Sequence, residues 1–250
     1  MRTTGETTSN GDSVPLWKLL FGIVDRPRST FEAVLAGCGT WRWLAPLLIL
    51  LLCFAIMVAV QAPHNVELAR QQTQQRLDSM PAEQAEAAAA QMETFISLPF
   101  LLATGLGFGA IVLLIIIAVQ AVILYFGTLT LGGDMNFGPM FTVSIWSRLP
   151  YAVSYLALAG FTAIAGRAVR YPGLSTLVAT GDLTKDLGNP LVTVLGAIDL
   201  FWLWHLFLVV VGLSVIARFS RSKSVGLTVV YAVLSLALMA IPGLLLGGQG

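Results

Sequence analysis

The sequence predicts an all-α, polytopic integral membrane protein, with five transmembrane helices preceded by short N-terminal interfacial helices, and three observations predict it. Residues 94–133 form forty consecutive positions without Asp, Glu, Lys or Arg. Hydrophobic residues make up 56% of the chain and charged residues 11%, against about 45–50% and about 25% in soluble domains. Four further uncharged windows follow, at 43–62, 149–166, 200–217 and 224–250. A hydrocarbon layer of about 30 Å takes about 20 helical residues to cross. Amides inside it find no water, so continuous apolar runs read as helices and not as barrel strands, which alternate.

Residues 1–13 are polar and read as a disordered tail, and Lys18 interrupts the apolar patch after it, which speaks against a cleavable signal peptide. Residues 14–42 read as cytoplasmic interfacial helices. The first covers Val14 to Val24, too short to cross and too apolar for free solution. Ser29 and Glu32 have capping-box spacing, which predicts a second helix from Thr30 towards Gly37. Trp41, Arg42 and Trp43 then mark the headgroup level, where amphipathic rings and a snorkelling cation settle.

The membrane domain is expected over 43–250, with spans at about 43–62, 98–130, 149–166, 191–217 and 224–247. The segment 63–94, rich in Gln, Ala and Glu and broken at Met80-Pro81, reads as an outer helical hairpin whose second arm continues into the second span. Within that span Gly105 and Gly109 fall on one helix face, the small-xxx-small spacing that lets backbones approach closely, and internal packing is its expected use ahead of dimer formation. The Gly pair in Leu131-Gly-Gly-Asp-Met-Asn marks a turn. Residues 138–148 read as a short cytoplasmic-side helix, and Pro150 bends or starts the third span.

Orientation follows from Lys and Arg, which resist translocation. With the N-terminus in the cytoplasm and the C-terminus outside, nine basic residues fall inside and five outside. The short Arg218-Phe-Ser-Arg-Ser-Lys223 connection weighs most. A formal charge of +1 gives no reason to expect nucleic acid, although basic loops can rest on anionic headgroups. Two cysteines, Cys38 and Cys53, are too few for redox or metal chemistry, and no nucleotide loop, metal cluster or nucleophile–base arrangement is recognisable. Catalytic, cofactor and metal sites are therefore assigned to none of the residues.

Charge inside a bilayer is costly, so intramembrane polar groups define the candidate site. These are Asp199 and His205 in Ile198-Asp-Leu-Phe-Trp-Leu-Trp-His205, together with Arg148. Asp199 and His205 lie about 120° apart on a helical wheel, so they do not form a same-face pair. The structural reading, with Asp199 capping or hydrating near the outer end and His205 bonded to a neighbouring helix, is preferred over a proton or ion relay.

These motifs together resemble the Yip domain family, five-span membrane proteins first described as partners of Ypt/Rab GTPases. The resemblance rests on Arg26-Pro-Arg-Ser-Thr-Phe31, with Pro27, Arg28 and Phe31; on Gly132, Gly133 and Phe137; on Arg148-Leu-Pro150; and on Asp199-Leu-Phe-Trp-Leu-Trp, with Trp202. Val211-Gly-Leu-Ser214, with Gly212, and the Arg218–Ser224 stretch complete it. It covers Leu16 to Leu246 and implies a small, non-enzymatic membrane adaptor. The short N-terminus and Gln/Ala-rich hairpin are similar to bacterial members, some of which accompany ABC-type exporters.

The expected function is a scaffold in the bacterial cytoplasmic membrane. Its implied partners are membrane lipids, other membrane proteins such as an ABC-type exporter, and a second copy of the chain. The alternative is a small transporter, channel or lipid-handling protein that uses Asp199 and His205.

Overall fold

The computed structural model describes residues 14–37, 39–78, 80–81, 84–85, 89, 92–93, 95–181, 186 and 188–247, with the side chains of 76 and 242–247 excluded. The expected tail, Cys38 and much of the 79–94 segment lie outside these residues. Among the described residues the regular elements are helices: α1 (Leu16–Asp25), α2 (Pro27–Ala36), α3 (Trp41–Asp78), α4 (Leu98–Thr130), α5 (Phe137–Ser147), α6 (Leu149–Ala165), α7 (Pro190–Ala197), α8 (Leu200–Ile216) and α9 (Arg221–Gly247). A 3-10 turn, Ser175–Leu177, lies between α6 and α7.

Among the described residues three helices, α3, α4 and α9, are long and apolar enough to cross a membrane, and α7 with α8 forms a pair bent by 63° that makes up a fourth span if the two count as one. At 17 residues, α6 covers about 25 Å, short of the full hydrocarbon thickness on its own.

The second helix starts earlier than expected, and the capping box does not form. Arg26 is the N-cap and Pro27 opens the helix, where its missing N–H costs nothing. The Ser29 hydroxyl instead donates to the Arg26 carbonyl at 3.1 Å, and Glu32 pairs with Arg28 at 3.2 Å on the surface. At the hairpin, α3 runs through Pro63 to Asp78 as one helix, so the first arm continues the first apolar run directly. The second arm does not run unbroken into α4. Ser97 is extended (ψ 145°) and Pro99 sits in the first turn of α4, because within a longer helix its ring would meet the carbonyl four residues back.

Turns obey the chemistry of their residues. The α4 C-terminus closes in a Schellman arrangement: Gly133 N–H bonds the Thr128 carbonyl at 2.9 Å and Gly132 N–H that of Leu129 at 3.0 Å, with Gly132 left-handed at φ 83°. Between α8 and α9 the left-handed position is taken by Arg218, φ 52°, where glycine is usual. Lys223 Nζ then donates to the Leu131 carbonyl at 3.1 Å, which ties the start of α9 to the end of α4.

Three apolar clusters hold the bundle. Phe31, Val34, Trp146 and Leu208 join α1 and α2 to α5 and α8. Leu50, Cys53, Ile117 and Ala152 join α3, α4 and α6. Leu124, Met140, Leu213 and Leu227 join α4, α5, α8 and α9. The glycine pair in α4 serves the middle cluster. A Cβ on Gly109 would stand 2.5 Å from the Phe54 ring, and one on Gly105 3.0 Å from Val58, so both glycines let α4 lie directly on α3.

Candidate functional site

The site begins with a break in a helix. Pro150 has no N–H to give to the Trp146 carbonyl, and the chain tightens between α5 and α6: Arg148 N–H bonds Ile145 at 3.0 Å and Tyr151 N–H bonds Arg148 at 2.9 Å. The Ser147 carbonyl is left without its usual partner four residues on. His205, from α8, supplies one: its Nδ1 lies 2.8 Å from that oxygen.

The other imidazole nitrogen, Nε2, lies 3.1 Å from the hydroxyl of Tyr231 on α9. Donor and acceptor counting assigns the tautomer, since a carbonyl only accepts: Nδ1 carries the proton and Nε2 accepts from the Tyr231 hydroxyl. That hydroxyl in turn accepts from Arg148 Nη2 at 3.2 Å. Arg148 Nε donates to Gln120 Oε1 of α4 at 2.7 Å, the Gln120 amide donates to Ser147 Oγ at 3.0 Å, and Ser147 Oγ donates to the Ser144 carbonyl at 3.0 Å. The Tyr151 ring lies 5.6 Å under the guanidinium and 5.4 Å from the imidazole.

Gln120, Ser147, Arg148, His205 and Tyr231 are all buried. The cluster thus clamps α4, the α5–α6 junction, α8 and α9 together through directional bonds in a region otherwise packed with apolar side chains. Gln120 and Tyr231 each lie ten residues inside the ends of their helices at Thr130 and Arg221, about 15 Å along the axis. Such bonds polarise one another in a low dielectric, and breaking one strands its partners.

The structure therefore brings two of the three candidate polar residues together, Arg148 and His205, and leaves the third apart. Asp199 sits at the break between α7 and α8 as the N-cap of α8, its carboxylate accepting from Trp202 N–H at 2.7 Å. Trp202, singled out beforehand, is half-buried on the same first turn. Gln120, Ser147, Tyr151 and Tyr231 escaped sequence reasoning. Gln120 is the one amide in the uncharged core of its span, and Tyr231 the one tyrosine in the last, which are the signals that could have marked them.

The remaining motif residues have packing places. The Phe31 ring is fully buried against Gly212, where a Cβ would stand 3.5 Å from it and 2.5 Å from Val143. Phe137 stacks on Phe141 and meets Tyr125 edge-on at 5.6 Å, and Pro150 opens α6.

A second polar assembly lies in the segment between α6 and α7. The carboxylate of Asp186 accepts from Thr180 N–H at 2.9 Å, from Gly181 N–H at 3.1 Å, from the Thr180 hydroxyl at 3.0 Å and from the Tyr171 hydroxyl at 2.7 Å. The Thr180 backbone N–H first, and then these other donors, hold its pKa below the usual carboxylate value. Leu174 N–H bonds the Leu195 carbonyl at 2.9 Å, so the segment this carboxylate shapes lies directly on α7.

Long apolar helices closed around a buried polar centre define a helical integral membrane protein. The Yip1 domain family model matches residues 21–242, and the chain belongs to that family. No curated protein and no solved structure matches it.

Proposed function

We propose that the chain is a non-catalytic adaptor in the membrane, which recruits other membrane proteins or shapes its local bilayer through its outer faces. The observation that carries this reading is the closure of the polar cluster. Arg148, His205, Tyr231, Gln120 and Ser147 bond to one another and to the α5–α6 backbone, so their polarity serves the bundle's shape. Large apolar side chains, among them Phe108, Ile115, Phe126, Val229 and Val233, point outwards from α4 and α9. These faces suit lipid tails and partner helices. The family's record of membrane-associated partners agrees with this reading.

In this reading the chain crosses five times, through α3, α4, α6, the bent α7–α8 pair and α9. The N-terminus lies in the cytoplasm of a bacterial cell and the C-terminus outside. Helices α1 and α2 lie in the inner interface, with Trp17 and Phe21 turned outwards at 59% and 74% exposure. An ABC-type exporter and a second copy of the chain are the partners to look for first. In-membrane photo-crosslinking from positions 115 and 229, followed by purification and mass spectrometry, tests the role. A reproducible membrane-protein neighbour is expected, and recovery of the protein alone overturns it.

A further inference from the structure

Helix α1 is apolar on two opposite faces. Leu19 and Ile23 are buried in the cluster they share with Phe31, Trp146 and Leu208, while Trp17, Phe21 and Val24 are each exposed over more than half of their surface. Steps of four and three residues keep these three side chains on one stripe, turned away from the buried pair. The same cluster reaches along α8 from Trp204 to Ile216, about 18 Å of its axis. Helices α1 and α2 therefore flank the last turns of α8.

The polar groups around the bare stripe are cationic on balance. Lys18 is exposed on its flank, with Nζ 5.5 Å from the centre of the Trp17 ring. Arg26 and Arg28 follow, each 3.2 Å from a carboxylate, Asp25 and Glu32, in pairs exposed over more than half of both side chains. Such pairs hold weakly, and each guanidinium keeps further N–H groups for another acceptor. Ile216 packs on the α1–α2 cluster, and the Arg218–Lys223 connection with its three basic residues starts two positions later. With Arg42, seven basic residues stand at this end of the bundle against Asp25, Glu32 and Asp134, whereas residues 63–97 and 166–199 at the other end carry five basic and eight acidic ones.

We propose that α1 inserts the Trp17–Phe21–Val24 stripe into the inner leaflet and selects anionic phospholipids there. Lys18, Arg28 and the Arg218–Lys223 connection hold the phosphate-bearing headgroups. Apolar rings beside cations suit a layer that is hydrocarbon below and negative above. A protein partner fits less well, because three side chains along about 10 Å of helix fall short of the about 800 Å² per partner that a stable interface buries. The inference rests on α1 lying in the inner interface, as proposed above, and adds which lipid it meets.

The test reconstitutes the full chain in vesicles of equal phosphatidylglycerol and phosphatidylcholine, one of the two carrying brominated acyl chains. Tryptophan fluorescence is compared with that of Trp17→Phe, so that the difference reports Trp17 alone. Brominated phosphatidylglycerol quenches this signal more strongly than brominated phosphatidylcholine, with a relative affinity about tenfold higher. The preference fades between about 0.1 M and about 1 M salt, as the Debye length drops from about 10 Å to about 3 Å. Lys18→Gln changes an exposed side chain, keeps the fold, and lowers the preference about fivefold. Arg167→Gln, exposed at the opposite end, leaves it unchanged. Quenching of Trp17 by neither brominated lipid places the stripe outside the bilayer, and overturns the inference together with the interfacial reading beneath it. Equal quenching by the two lipids, or a preference that Lys18→Gln leaves intact, overturns the lipid selectivity alone.

Discussion

The His205 imidazole caps a carbonyl that the tightened break between α5 and α6 leaves without its usual partner: Nδ1 lies 2.8 Å from the Ser147 oxygen, on a different helix 58 residues earlier in the chain. The helix break and the histidine answer each other. One leaves a backbone acceptor in an apolar interior, and the other fills it while reaching Tyr231 with its second nitrogen.

Replacing His205 by leucine keeps the volume roughly but leaves the Ser147 carbonyl with no donor and the Tyr231 hydroxyl with no acceptor. We expect a loss of about 1–3 kcal/mol, the cost of stranding a buried polar group. Reversible unfolding in mixed micelles measures it. A His205→Leu protein as stable as the native one contradicts the capping role.

Glycines at helix crossings give a second expectation. Gly109→Val drives a branched side chain into the Phe54 ring, and Gly212→Ala drives a methyl into Val143. Each should destabilise by about 1–3 kcal/mol through overpacking. Gly107→Ala, at a position with nothing within 4 Å of a built Cβ, should cost nothing measurable and acts as the control in the same unfolding assay.

Asp186 predicts a pH dependence. Its folded pKa is lowered, so the order it lends the segment is fully present above the unfolded value of about 3.9 and is lost as pH falls through the folded pKa. Hydrogen exchange at Thr180 and Gly181, whose amides bond this carboxylate, should be slow at neutral pH after correction for the intrinsic rate and should speed up in acid. Asp186→Asn should show the fast exchange already at pH 7. Unchanged protection in that variant contradicts the assignment.

The reach of the sequence can be judged from single residues. Ile111 to Val119 could lie nowhere but in an apolar phase, and Gly105 with Gly109 declared a close helix contact, because composition and helical spacing are local signals. Arg148 and His205 stood out for the same reason, as polar groups where polarity is expensive. Their partners were not legible, since Gln120 and Tyr231 meet Arg148 across separations of 28 and 83 residues, which no periodicity encodes. Asp199, expected to cap or hydrate near the outer end, is the N-cap of α8, because the helix starts there. Ser29 and Glu32 matched a local motif, but Pro27 had already opened the helix and the motif went unused.

Tyr231→Phe is the most direct measurement of the central claim, that one buried polar cluster locks four helices together. It removes a single oxygen that joins Arg148 to His205 and leaves the ring in place. The account predicts a loss of about 1–2 kcal/mol in reversible unfolding, and a loss smaller than that when His205 is already leucine, since the two share a bond. A Tyr231→Phe protein of native stability, or two substitutions whose effects simply add, would contradict it.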